Sequence, residues 1–287
     1  VYRGLDIGSA KPTRDEQASV PHHLIDVVDP DEAMTAALFS QMARQAIAEI
    51  VSRGHPPVLV GGTGLYIRAT IHGLMDAPKA DKELRRSLRE AEQTQGPGTL
   101  HAKLQEVDPE TATRLHPSDL VRIVRALEVH ALTGETISQL QRRHQFSEAP
   151  YEVVYLVLDP GKEVLDERIQ TRVEAMWEAG LLDEARRLLS QGYSPSLRPL
   201  DTPGYRQAFR VIAGDMPLEE AKESMATEHR RYARRQRVWF RGVEDALPFP
   251  GPHALPYEEL AAWLRGEAPP PNSAGDHSGP PKTTEHP

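Results

Sequence analysis

Val58-Leu59-Val60-Gly61-Gly62-Thr63-Gly64-Leu65-Tyr66 is an apolar run that breaks at glycines and reopens as an apolar helical segment, Leu65 to Ile71. Pro57 to Val60 has the length and β-branched content of a buried strand, and the turn behind it leads directly into a helix. Such a junction aims backbone N–H groups and the positive end of a helix at one spot, where an anion such as phosphate binds well, and the Thr63 hydroxyl adds a donor. A tight turn that needs small residues for packing gives the same string, and the residues alone leave both readings open. The string is neither the G-x-G-x-x-G of dinucleotide folds nor the G-x-x-x-x-G-K-[ST] phosphate loop, and the latter occurs nowhere in the chain.

The same alternation extends to both sides. His23 to Val28 is a short apolar run, after which Thr35 caps a segment with Phe39, Met42, Ala46, Ile47 and Ile50 at helical spacing. Tyr151 to Leu158 is another strand, followed by helices over Lys162 to Ala179 and Leu181 to Leu189, with one more strand to close the core. This order predicts an α/β fold, a parallel sheet with helices on both faces. A long helix is expected over Pro217 to Phe240 and a short one over Tyr257 to Arg265. Between residues 77 and 149 strand signals vanish, and helices are predicted over Asp81 to Gln93, Leu100 to Val107, Asp119 to Leu132 and Thr136 to Arg143. The reading is a discontinuous core, residues 1–76 and 150–250, interrupted by a helical insertion domain, 77–149. Residues 266–287 are rich in Pro, Gly, Ser and Thr and are expected to be disordered.

The 287 residues, 39% hydrophobic and 26% charged, describe a soluble globular protein larger than one average domain. No stretch approaches the roughly 20 apolar residues that a bilayer crossing needs, and no signal peptide opens the chain. With no cysteine, disulfide scaffolds, thiolate zinc sites and cysteine nucleophiles are excluded, and a cytoplasmic setting is expected. The histidines show no ligand spacing, so no metal centre is expected from these residues. A net charge of -8 argues against indiscriminate nucleic-acid binding. The distribution says more, because Arg230, Arg231, Arg234, Arg235, Arg237 and Arg241 alternate with Tyr232, Trp239 and Phe240. On a helix Arg230, Arg234, Arg237 and Arg241 share one side, glutamates are scarce beyond Glu228, and the row reads as a contact for nucleic-acid phosphates. Arg168 and Arg172, one turn apart, suit a diphosphate clamp or a solvated face paired with Glu167 and Glu174.

Several long strings in a fixed order resemble the tRNA dimethylallyltransferase family. They are Val1-Tyr2-Arg3-Gly4-Leu5-Asp6-Ile7-Gly8-Ser9-Ala10-Lys11-Pro12, Pro21-His22-His23-Leu24-Ile25-Asp26, Gly61 to Tyr66, His116 to Asp119 with Arg122, Arg125-Ala126-Leu127-Glu128-Val129, Gly204-Tyr205-Arg206, Tyr232 to Gln236 and Trp239-Phe240-Arg241. The resemblance reaches about Gly242. It implies a phosphate-loop NTPase-like parallel core with a helical insertion, use of Mg²⁺ and dimethylallyl diphosphate, and a monomer acting on the tRNA anticodon stem-loop. The implied reaction moves a dimethylallyl group to N6 of adenosine 37, in tRNAs reading codons that begin with U, with the base flipped out of its stack.

Residue by residue, the resemblance implies catalytic roles for Thr63 and Arg172 and diphosphate binding by Gly62, Thr63 and Arg172. It implies tRNA contacts at Arg85, Arg122, Arg125, Gly204, Tyr205, Arg206, Arg235, Gln236, Trp239 and Arg241. The family's G-P-T-A-S-G-K-[ST] loop and the Asp-Ser that supplies its general base would precede Val1, so an N-terminal strand and phosphate loop are expected upstream. Val121 stands where the family usually has glutamine and His229 where threonine is common. Two rivals stay open: an inactive RNA-binding remnant of the same family, and a small-molecule phosphotransferase, for which a long basic helix has no use.

Overall fold

Side-chain caps set where helices begin, and the computed structural model, which describes residues 1–144, 148 and 150–271, follows them. Thr13 closes a capping box with Glu16 on α1 (Arg14–Ser19), and the Thr35 hydroxyl accepts the Leu38 N–H on α2 (Ala36–Ser52). α3 (Gly64–His72) starts at the glycine turn. Asp81, Asp108 and Asp119 cap α4 (Lys82–Gln95), α6 (Pro109–Arg114) and α7 (Leu120–Thr133), with α5 (Thr99–Val107) and α8 (Ile137–His144) alongside. Then come β1 (Tyr155–Leu158), α9 (Lys162–Glu178), α10 (Leu181–Ser190), α11 (Tyr205–Ala213), α12 (Leu218–Arg241), β2 (Ala246–Phe249) and α13 (Tyr257–Leu264). No helix among the described residues is long and apolar enough to cross a membrane.

The pairing is parallel, as the alternation predicts, but narrow. β1 and β2 lie side by side with Tyr155 opposite Ala246 and Leu158 opposite Phe249. Of the expected strand His23 to Val28 only Val28 pairs, in a single parallel bridge with Tyr2. Pro57 to Val60 forms no ladder, and Val58 and Val60 are 74% and 86% exposed. Both expectations are corrected for one reason: β-branched residues become a strand only where a neighbouring backbone supplies N–H and C=O partners, and none lies along Pro57 to Val60 among the described residues. The expected disorder from Gly266 is corrected at its start, where the Gly266 and Glu267 amides close α13 by donating to Trp263 (2.8 Å) and Ala262 (2.9 Å). The remainder of that segment, 272–287, lies outside the described residues.

Two compact units result: Val1–Ile67 together with the chain from Glu152 onward, and Arg68–Tyr151. The first is organised around Trp177, Leu181, Leu188, Tyr205 and Met225, contributed by α9 to α12, with Leu5 of the N-terminal loop among them. The second packs Leu100, Leu104, Ile123, Val129 and Leu140. Its centre also holds a carboxylate. Glu128 is fully buried and accepts from Arg85 Nε (2.7 Å), Arg85 Nη2 (2.8 Å), Arg125 Nη1 (2.5 Å) and the Asp81 amide (2.8 Å). Burial pushes its pKa up, but the two guanidinium groups outweigh that and hold it below the ordinary carboxylate value.

Glu128→Ala strands two cations beside a buried void and is expected to cost about 3–5 kcal/mol, read from the urea midpoint. Because the folded-state pKa is lowered, the stabilisation is complete above the ordinary value of 4.5 and lost as pH falls through the folded value. Acid titration of helicity should therefore show an inflection below that pH which Glu128→Gln removes.

Candidate active site

The glycine turn resolves into a cap and a packing surface. The Thr63 carbonyl accepts the N–H of Tyr66 (2.9 Å) and Ile67 (3.2 Å), so Thr63 opens α3, and its side chain is exposed. The amides of Gly62, Thr63, Gly64 and Leu65 donate to nothing among the described residues. Four consecutive unpaired donors at the positive end of a helix are an arrangement whose electrostatics favour an anion. The same turn lies against α12. Gln236 Nε2 donates to the Gly62 carbonyl (3.1 Å), and a Cβ on Gly62 would sit 2.0 Å from that nitrogen. A Cβ on Gly64 would sit 2.0 Å from Trp239 Nε1. The packing reading holds at Gly62 and Gly64, whereas a Cβ on Gly61 would meet no atom within 4 Å.

Beside the turn is a cavity of about 350 Å³, walled by Gly61, Gly62, Thr63, Tyr2, Phe39 and Tyr66 among others. Phe39 and Tyr66 stack at 4.7 Å, and the Tyr66 hydroxyl donates to the Met34 carbonyl (3.0 Å). Burial raises the Tyr66 pKa, so the phenol stays protonated.

Arg172, on α9, is exposed and makes no ion pair among the described residues. Its expected partner Glu174 is held instead by Lys222 at 3.0 Å, so Arg168 and Arg172 do not form a paired face. Arg172 lies near His229, whose imidazole pKa is lowered by burial first and by that guanidinium second. His229 precedes Gln236 by seven residues on α12, about 10 Å along the axis. α12 thus carries the turn on one level and the neighbourhood of Arg172 two turns away.

The cationic side of α12 is not the one the spacing suggests. Arg237 pairs with Asp159 (2.9 Å), and Arg230 lies 3.8 Å from Asp166 and donates to Gln170 (3.3 Å), so two members of the expected row are neutralised from neighbouring elements. Arg231, Arg234, Arg235 and Arg241 are exposed and free of ion pairs among the described residues, with Arg235 5.6 Å from the Tyr232 ring centroid. The free row is therefore rotated toward Arg231 and Arg235, with Val238 (64% exposed) in its middle.

Several expected tRNA contacts are committed internally. The guanidinium groups of Arg85 and Arg125 are bound to Glu128, and Arg125 also donates to the Pro78 carbonyl. Tyr205 is 1% exposed and donates to Glu184 (2.6 Å); Gly204, at φ +100°, is buried beneath it. Arg206 bridges Asp201 (2.6 Å) and Glu228 (2.8 Å). In this structure Gly204 and Tyr205 are buried, whereas Arg85, Arg125 and Arg206 are ion-paired within the fold and keep about a third of each side chain exposed. Arg122 stays exposed, paired with Asp119 at 3.1 Å, Gln236 faces the turn, and Trp239 keeps 37% of its surface in solvent. Glu184 was missed from sequence, although a carboxylate on the apolar face of Leu181, Ala185 and Leu188 is itself a signal that it has buried partners.

The family model described as IPP transferase matches residues 1–243. The chain is 49% identical over 247 residues to tRNA dimethylallyltransferase 1 of Syntrophotalea carbinolica, covering 86% of this chain and 79% of that protein. It is 47% identical to tRNA dimethylallyltransferase of Geobacter sulfurreducens, over 84% of this chain and 78% of the relative. The solved full-length tRNA isopentenylpyrophosphate transferase of Bacillus halodurans is 37% identical, with a TM-score of 0.64, over 93% of this chain and 84% of its own. A eukaryotic dimethylallyltransferase acting on tRNA, at 22% identity and a TM-score of 0.74 over 96% of this chain and 72% of its own, shares the fold.

The three glycines should separate by substitution. Gly64→Ala is expected to cost about 1–3 kcal/mol and to change tryptophan emission as the Trp239 ring is displaced. Gly62→Ala should cost less, since the Gln236 carboxamide can swing aside. Gly61→Ala should leave the unfolding free energy unchanged within about 0.5 kcal/mol.

Proposed function

The chain belongs to the IPP transferase family, and on that premise we propose that it moves a dimethylallyl group from dimethylallyl diphosphate to N6 of adenosine 37, beside the anticodon, in tRNAs that read codons beginning with U. The observation that carries the reading is the row of four free amides at the start of α3, joined through α12 to an unpaired arginine face.

In this reaction the N6 lone pair attacks the first allyl carbon, the C–O bond to diphosphate breaks, diphosphate leaves with the electron pair, and N6 gives up a proton. Charge builds on the departing oxygen. Preorganised amides of Gly62 to Leu65 and the Thr63 hydroxyl meet it without reorganising, and the Arg172 guanidinium adds a bidentate donor. The arginines of α12 contact RNA phosphates, which offsets the few kcal/mol needed to unstack the target base. Mg²⁺ accompanies diphosphate chemistry in the family. The cavity wall includes no carboxylate, and no cluster of three His, Asp or Glu occurs among the described residues, so the site does not fit a protein-held cation and no step is routed through one. No proton acceptor is assigned on that wall either.

The test is transfer of labelled dimethylallyl groups to an anticodon stem-loop by the full chain. Arg172→Ala should lower turnover about 10²-fold with RNA affinity unchanged. Arg235→Ala should weaken RNA binding and reduce its salt slope by about one. RNA binding with no transfer would instead favour an RNA-binding module, and equal effects of both substitutions on both quantities would contradict the division of roles.

A further inference from the structure

The N-terminal loop is gripped from two sides by groups that the reaction itself does not use. From below, the Glu184 carboxylate accepts three successive amides, Asp6 (3.1 Å), Ile7 (2.9 Å) and Gly8 (3.0 Å), together with the Tyr205 hydroxyl (2.6 Å). Gly8 must lack a side chain, because a Cβ there would lie 2.5 Å from the Tyr205 ring. From above, Lys11, whose side chain is 7% exposed, donates to the Tyr2 carbonyl (3.0 Å), to Asp6 (2.5 Å) and to the Asp26 carboxylate.

The backbone around this ammonium is strained. Ala10 (φ +50°), Leu24 (+62°) and Asp26 (+54°) are the non-glycine residues with positive φ among the described residues; Ala10 precedes Lys11, Asp26 is one of its partners, and Leu24 lies two residues before Asp26. Side chains adopt this region only where surrounding contacts hold them there, and such residues concentrate at functional sites. What the strain fixes is visible. The Val1 carbonyl accepts the Val27 amide (2.8 Å), the Arg3 amide donates to the Val28 carbonyl (2.8 Å), and Tyr2 between them lines the cavity beside Gly61, Gly62 and Thr63.

We propose that Lys11 is a positioning residue for the chemistry at the glycine turn: by joining Asp6, Asp26 and the Tyr2 carbonyl it fixes Tyr2 as the wall that faces Gly61 to Thr63. The proposal rests on the turn being the reaction site. Its physical content is charge and direction rather than filled space. Without the ammonium two neighbouring carboxylates repel, the turns at Ala10 and Asp26 relax, and Tyr2 is released. A small displacement of a wall against which reactants align lowers the rate steeply, while the arginine face of α12 is untouched.

The experiment compares Lys11→Met, which keeps the alkyl stem, with Lys11→Arg, which keeps the charge, in the full chain. Turnover with dimethylallyl diphosphate and an anticodon stem-loop is expected to fall about tenfold or more in Lys11→Met, with RNA affinity unchanged, and to return substantially in Lys11→Arg. Native-state hydrogen exchange gives the second readout: Arg3 and Val27 amides should exchange about tenfold faster in Lys11→Met, while Ala208, which donates to Gly204 at 2.9 Å, keeps its rate. Unchanged turnover in Lys11→Met, or exchange that rises equally at Val27 and Ala208, overturns the proposal. If the unaltered chain transfers nothing, the reaction assignment falls and exchange alone decides the positioning claim. Should Lys11→Met fail to fold, Asp26→Asn, which leaves Lys11 on Asp6 and Tyr2, is read by the same two measurements.

Discussion

The contact between α12 and the glycine turn is the constraint on which the first unit's functional geometry depends. One hydrogen bond, from Gln236 to the Gly62 carbonyl, and one close approach, Trp239 on Gly64, seat the start of α3 on the longest helix among the described residues. Because that helix also carries the free arginines, the anion seat and the cationic row are held in one rigid register. An amide row alone binds any phosphate, and an arginine row alone binds any nucleic acid. Fixed together, they suit a reaction whose two substrates are a diphosphate and an RNA.

Counter-charges then decide which arginines are available. Sequence spacing lays Arg230, Arg234, Arg237 and Arg241 along one side of α12, but partners distant in sequence, Asp159 and Asp166, take two of them. The same rule pairs Arg85 and Arg125 with Glu128, and Arg206 with Asp201 and Glu228. Several residues that resemblance assigns to RNA are here the ions that hold the helices in place. A buried ion pair adds little net stability compared with an apolar pair, yet losing one member is costly, so Arg85 and Arg125, which face the fully buried Glu128, are constrained whether or not RNA touches them.

Legibility from sequence followed the range of the interactions involved. Helices with side-chain caps, such as α2 behind Thr35 and α4 behind Asp81, were readable because cap and helix lie within a few residues. α6 was missed although Asp108-Pro109 is a cap followed by a first-turn proline, and α11 was missed because Gly204 offers no side-chain oxygen to mark its start. The strand expected over Pro57 to Val60 failed because pairing depends on a second backbone that local composition does not report. At the candidate site the turn and Arg172 were visible as motifs. Glu184 was not, since three of its donors come from the N-terminal loop 176 to 178 positions away and the fourth from Tyr205, at the start of α11 and 21 positions away.

Gly61 differs from its neighbours. A Cβ added there would meet no atom within 4 Å, there is no left-handed backbone to preserve, and the residue has a place on the cavity wall. Bulk can therefore be added there without dislodging the helix packed behind the turn, which makes the width of the cavity's mouth adjustable at a single position while the anion seat keeps its shape.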